Sequence, residues 1–177
     1  MRRLDPSRTR MLTHLVSPHY PSQQILHLSD ATTDIHETLF AFTREKGFEY
    51  DLKAVACDVE AFAALEENHE GFRLETLDLE RRQYNKHGKK YDNIYVTLSP
   101  ALLTEDLETM LKKFYRIMKN GAILAFVVEK EAGLTPLLTQ KLEEGYFVAI
   151  NPIDIFDDYD VVTCKKLHGW GAYQVGF

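Results

Sequence analysis

Apolar runs of strand length alternate with helix-period segments down most of this chain, and the last two runs are separated only by Asn151–Tyr159. A crossover between parallel strands needs a dozen or more residues. If Asp160–Cys164 pairs with Tyr146–Ile150, it must therefore run antiparallel to it. The earlier connections are long enough for helices. The expectation is an α/β chain on a mostly parallel sheet with one late antiparallel strand, which is not the all-parallel dinucleotide arrangement.

The first unit shows the plan. Ile25, Leu26 and Leu28 read as a buried strand, and Ser29–Thr33 as a turn. Asp34 with Glu37 three residues on has the form of a capping box, with Asp34 as the cap. Ile35, Leu39 and Phe42 then share a helix face that stops at Lys46-Gly47. A second strand, Lys53–Cys57, leads to Asp58 at its carboxyl end. Glu60–Asn68 is predicted as a helix with Phe62, Ala63 and Leu65 inward, stopped by His69-Glu70-Gly71. Phe72–Leu77 alternates as a more exposed strand does and ends at Asp78. After a basic loop, Asn93–Leu98 is a fourth strand, closed by Ser99-Pro100.

Thr104–Lys119 carries the clearest helical period, with Thr104 as N-cap and Glu105 and Asp106 in the first turn. Leu107, Met110, Leu111, Phe114 and Met118 form its apolar face, and Asn120-Gly121 is its stop signal. Ala122–Val128 reads as a strand buried on both faces. Thr135 before Pro136 is placed as the cap of a helix through Leu142 to Gly145. Residues 1–23, with Pro6, Pro18 and Pro21, read as an N-terminal extension in which Arg8–Val16 forms a short helix against the sheet. Residues 24–177 form the domain proper.

Composition narrows the function class. The net charge of −6 argues against a general nucleic-acid binder. Arg2, Arg3, Arg8 and Arg10 read as a solvated tail, and Arg81, Arg82, Lys86, Lys89 and Lys90 as a solvated loop rather than an anion site. No apolar run approaches the ~20 residues of a membrane span, and no apolar stretch follows the first charges as in a secretory signal. Cys57 and Cys164 form no C-x-x-C pair, so zinc and a disulfide framework are not indicated, and a cytoplasmic setting is expected. His27, His36 and Glu37 match no metal-ligand spacing, and His27 reads as a hydrogen-bonded core histidine.

Ala56-Cys57-Asp58, Thr76-Leu77-Asp78, Lys90-Tyr91-Asp92-Asn93-Ile94 and Met118-Lys119-Asn120-Gly121-Ala122 recur in an order that resembles the class I S-adenosylmethionine-dependent methyltransferases. The likeness runs from about Gln24 to Leu167 and rests on element order more than on one motif. It implies a single three-layer αβα Rossmann-like domain, with a seven-stranded, mostly parallel sheet and an antiparallel last strand. It also implies S-adenosylmethionine as cofactor, held by the turn at Ser29 and Asp30, by Asp58 at the ribose hydroxyls and by Asp78 at the adenine amino group.

The sequence departs from that family in the first turn. His27-Leu28-Ser29-Asp30-Ala31-Thr32-Thr33 stands where the family carries a glycine-rich run, and His27 replaces an acid. Glycine serves there because the cofactor lies against the backbone and some positions need φ > 0. β-Branched Thr32 and Thr33 adopt φ > 0 poorly. Thr97-Leu98-Ser99-Pro100 lacks the amide or acid that amino-methylating relatives carry, which disfavours nucleobase N-methylation.

For each candidate a plainer reading stands beside the functional one. Asp58 serves a ribose or caps the next helix, Asp78 meets adenine or is solvated, and Asp30 forms the turn or touches ligand. Together these acids would favour a cation over a pyrophosphate. Two functions follow: a methyltransferase acting on a small molecule or a protein, or a non-catalytic interaction module on the same fold. The aromatic tail His168–Phe177 either folds back or forms a homodimer contact through Trp170 and Tyr173.

Overall fold

The computed structural model describes residues 4–17, 20–65 and 70–167, without the side chains of 63–65. The expectations placed on Arg2, Arg3, Pro18, Asn68, His69, the inward Ala63 and Leu65, and the tail with Trp170 and Tyr173 lie outside the described residues.

Seven strands form one sheet: β1 (Gln24–Ser29), β2 (Glu49–Val55), β3 (Phe72–Leu77), β4 (Tyr91–Thr97), β5 (Met118–Glu129), β6 (Phe147–Ile153) and β7 (Tyr159–Lys166). Their spatial order is β3-β2-β1-β4-β5-β7-β6. β1 to β5 pair in parallel, and β7 runs antiparallel to both β5 and β6. The short Asn151–Tyr159 link therefore has the consequence expected of it. The strand order reverses between β1 and β4, where open α/β sheets leave a crevice at the carboxyl ends.

Helices cover both faces. On one, α3 (Pro100–Glu105), α4 (Leu107–Ile117) and α5 (Thr135–Glu144) pack on Leu26, Leu28, Val55, Val96 and Phe126. Leu107, Met110, Leu111 and Phe114 are buried there, as the period predicts, whereas Met118, expected on the same helix face, is buried as the first residue of β5. On the other face lie α1 (Pro6–Thr9), a 3-10 segment (Arg10–Leu15), α2 (Asp34–Lys46) and a second 3-10 segment (Val59–Leu65). Leu12, Val16, Ile35, Leu39 and Phe62 pack there on Ile25, Tyr50, Leu52 and Tyr95. The Tyr95 hydroxyl donates to the Leu12 carbonyl at 2.8 Å and Asn93 Nδ2 to that of Leu15 at 3.2 Å, which fastens the N-terminal segment to β4. No described helix is long and apolar enough to cross a membrane.

Several local expectations are corrected. Thr33, not Asp34, caps α2: its Oγ1 accepts from the Ile35 N–H at 3.2 Å, and His36 Nδ1 accepts from the Thr33 N–H at 2.8 Å. Asp34 is taken up instead by the Leu4 N–H of the N-terminal segment. The helix expected from Thr104 is two helices. Pro100 starts the first, Thr104 Oγ1 bonds back to the Pro100 carbonyl, and Asp106 (φ −150°) breaks the run and caps the second. That helix ends at Ile117 rather than Asn120-Gly121. Its terminal region is closed by the buried Lys166, whose Nζ donates to the carbonyls of Tyr115 and Met118 at 2.6 and 2.9 Å. Thr135 does not cap α5, because its hydroxyl donates to Asp160 Oδ2 at 2.6 Å. The described part of the expected Glu60–Asn68 helix is a 3-10 segment, Val59–Leu65.

Candidate functional site

The carboxyl ends of β2 and β3 open into a cavity of about 810 Å³. Its floor comes from Ala54, Val55, Thr76 and Leu77, the last residues of two adjacent parallel strands. Ala56, Cys57 and Asp58 line it from the turn after β2, and Asp78, Leu79 and Glu80 from the turn after β3. Leu102, Met110 and Tyr84 supply an apolar wall from α3, α4 and the loop after β3. Breaking the run at Asp106 brings Glu105 and Asp106 to this wall as well.

Asp58 and Asp78, singled out from sequence, thus lie on one cavity. Both are exposed, and each forms the same local device. Asp58 Oδ1 accepts from the Glu60 N–H at 3.1 Å, and Asp78 Oδ1 from the Glu80 N–H at 2.9 Å. The second oxygen of each has no hydrogen-bond partner among the described residues. The capping reading and the ligand reading are therefore compatible, because one oxygen serves each. Ala56, between strand and acid, has φ +52°, a left-handed conformation that turns the chain sharply at the cavity edge.

The charge of the cavity is one-sided. Among the described residues, Asp58, Asp78, Glu80, Glu105 and Asp106 face a single lysine, Lys113. The Lys113 ammonium is itself engaged, donating to the Leu79 carbonyl at 2.6 Å and lying 5.0 Å from the Tyr84 ring centre. Such a mouth attracts cations and repels phosphate. Burial raises the Cys57 thiol pKa, and nearby Asp30 and Asp58 raise it further, which disfavours a thiolate nucleophile.

Ser29 and Asp30 are placed elsewhere, at the switch point, and neither lines the cavity. Ser29 is buried in a hydrogen-bond chain with a fixed direction. Its hydroxyl donates to the Ala31 carbonyl at 2.6 Å and accepts from Thr97 Oγ1 at 2.9 Å. Thr97 has one proton, so it must accept from His27 Nε2 at 2.8 Å, and Nδ1 then accepts from the Tyr50 hydroxyl at 2.8 Å. His27 is a hydrogen-bonded core histidine, and burial holds its pKa well below the usual value. The Asp30 carboxylate reaches across the crevice and accepts from the Ser99 N–H at 2.9 Å. Where a glycine cradle would sit, side chains lock the turn after β1 to the turn after β4.

The cavity therefore fits half of the cofactor that the resemblance implies. Apolar walls and two acids with free oxygens suit an adenosine, and the negative mouth suits a sulfonium. The locked turn offers no such cradle for the amino-acid half. Sequence reading did not single out Tyr84, Leu102 or Met110 for this site. Met110 carried a core signal, and the other two come to the cavity only through packing of the chain after β3 and after β4.

No family model matches the sequence, and no curated protein matches it. Solved structures match the fold. A CurJ carbon methyltransferase superposes with a TM-score of 0.70 at 12% identity over 90% of this chain and 54% of that one, so the chain spans about half of its length. A SAM-dependent methyltransferase from Aquifex aeolicus aligns at a TM-score of 0.67 and 15% identity, covering 92% of this chain and 99% of that one. The [4+2]-cyclase SpnF aligns at 0.66 and 13% identity over 93% and 81%. The fold is that of the class I S-adenosylmethionine-dependent methyltransferases.

Proposed function

We propose that this chain is an S-adenosylmethionine-dependent methyltransferase that binds the cofactor chiefly through its adenosine. The observation that carries the reading is the placement of Asp58 and Asp78, each with an oxygen to spare, on one large, partly apolar cavity at the strand ends. In this reading Asp58 accepts from the ribose hydroxyls, Asp78 accepts from the adenine amino group, and Leu77, Leu79 and Met110 sandwich the base. Bound there, the cofactor would supply an electrophilic methyl group. The five carboxylates at the cavity mouth favour its positive charge over the negative charge of a pyrophosphate cofactor. The acceptor is a small molecule or a protein. Retention of tritiated S-adenosylmethionine in equilibrium dialysis, competed by S-adenosylhomocysteine and not by NAD, tests the reading, and retention competed equally by NAD overturns it.

A second reading is favoured by the Asp30–Ser99 bond. If that lock does not open, adenosyl ligands bind without a reactive pose, and the domain acts as a ligand-gated interaction module. The fold itself does not decide, since it also serves a cyclase. Detectable methyl transfer to any acceptor in a cell extract excludes this second reading.

A further inference from the structure

We propose that the cavity beneath residues 81–90 is a separate ligand site, for a phosphate ester that also carries a hydroxyl donor, as a ribose phosphate does. This inference does not depend on the methyltransferase reading.

The site arises from an unusual crossing. β3 and β4 are parallel and separated by β2 and β1, so the connection must pass over the sheet, a task usually given to a helix. Here residues 78–90 make the crossing as a loop without a helix. A helix would bring an apolar stripe to the sheet, whereas this loop leaves polar side chains on it. Asp51 and Lys53 from β2, with Arg73 and Glu75 from β3, form the floor of a cavity of about 550 Å³ under the loop. Tyr84 separates it from the acidic cavity described above.

Floor and rim differ in how their charges are met. On the floor Lys53 pairs with Glu75, and Lys90 with Asp51 at 2.7 Å. Arg73 stands 3.7 Å from Glu49 and 3.9 Å from Asp51. On the rim Arg81, Arg82 and Lys86 have no carboxylate within ion-pair distance among the described residues, in a chain whose net charge is −6. Three uncompensated cations on one lip suit a phosphoryl group, which arginine meets with paired donors.

A second observation points to the other half of the ligand. Asp51 is 3% exposed, and its Oδ2 takes both the Tyr91 hydroxyl at 2.6 Å and the Lys90 ammonium at 2.7 Å. Its Oδ1 has no hydrogen-bond partner, and the Arg73 guanidinium stands no nearer to it than 3.9 Å. A buried carboxylate oxygen without a donor is costly and rarely left so. An anion alone would not relieve it; a hydroxyl would. One ligand that joins phosphate to hydroxyl answers both the rim and the floor.

The test is titration of the full chain with ribose 5-phosphate, ribose and sulfate, followed by the backbone amide resonances of residues 81–90. Ribose 5-phosphate is expected to bind, with ribose and sulfate each about ten-fold weaker or more. Arg81→Gln with Arg82→Gln, two exposed positions that leave the fold intact, should weaken it by a further ten-fold or so. Asp51→Asn should bring ribose 5-phosphate down to the affinity of sulfate. A pentauridine strand that binds tighter, with a steep salt dependence, would identify the source as RNA, and one that binds no tighter would identify a free ester. Failure of ribose 5-phosphate to bind at about 10 mM, equal binding of sulfate, or binding indifferent to the arginine pair overturns the proposal.

Discussion

The Asp30 carboxylate accepts the Ser99 N–H at 2.9 Å and so joins the turn after β1 to the turn after β4 across the point where the strand order reverses. Hydrogen bonds to a charged group contribute about 1.5–3 kcal/mol, less where water competes. Asp30 is half-buried, so Asp30→Ala should cost about 1–2 kcal/mol, a fall in melting temperature of about 2–4 °C per kcal/mol for a chain of this size. A change under about 0.3 kcal/mol in urea denaturation would show that the two turns are not locked.

The same lock sets a ligand preference. If the cavity holds adenosine and the locked turn gives no grip on the amino acid, the amino-acid moiety adds little. S-Adenosylhomocysteine and 5′-methylthioadenosine should then bind within about ten-fold of each other, about 1.4 kcal/mol. A hundred-fold preference for S-adenosylhomocysteine by calorimetry would mean that the turn opens to cradle the amino acid.

Phe114 is fully buried between the rings of Tyr84 and Phe126, at 5.5 and 6.5 Å. Phe114→Ala should destabilise by about 3–5 kcal/mol, as core aromatic truncations do. It should also loosen Tyr84, the wall shared by the two cavities. A loss below about 1 kcal/mol would contradict the packing described.

How much of this was legible in the sequence depends on how local each signal is. Asp58 and Asp78 could be found because a strand and the acid at its end lie within a few residues of each other. The antiparallel β7 was legible because chain length alone forbids the alternative. Thr33 and Asp34 compete for one cap, and the choice falls to Leu4, thirty residues away, which no local pattern encodes. The break at Asp106 was hidden by an apolar period that continues through it. Asp51 carried no signal, since its meaning depends on Tyr91 and Lys90 from another strand. The basic run after β3 reads as a solvated loop, and Arg81, Arg82, Lys86 and Lys89 are exposed, but composition cannot show which side chains of the sheet lie beneath it.

Two buried histidines, His27 and His36, predict a pH dependence. Burial lowers His36 to about 4 and His27 well below its ordinary value of 6.5. The unfolded chain therefore takes up protons before the folded one as pH falls below about 6.5. Stability is full above that pH and declines toward pH 4, by up to about 1.4 kcal/mol per pH unit for each histidine. Urea midpoints measured at pH 7 and 5 should fall at pH 5, and less so in His36→Gln. Equal midpoints at the two pH values would contradict neutral burial.

The account rests most heavily on Asp58 as a ligand group, and melting of the wild-type chain and Asp58→Asn with S-adenosylhomocysteine tests that directly. Asparagine retains an oxygen for the Glu60 N–H, so the turn survives while the charge facing the cavity is removed. At about 100 times its dissociation constant the ligand stabilises by about 2.7 kcal/mol, a rise of about 5–10 °C for a chain of this size. The account predicts that rise in the wild type and its loss, or a ten-fold weaker response, in Asp58→Asn. No rise at millimolar ligand, or an equal rise in both proteins, would contradict it.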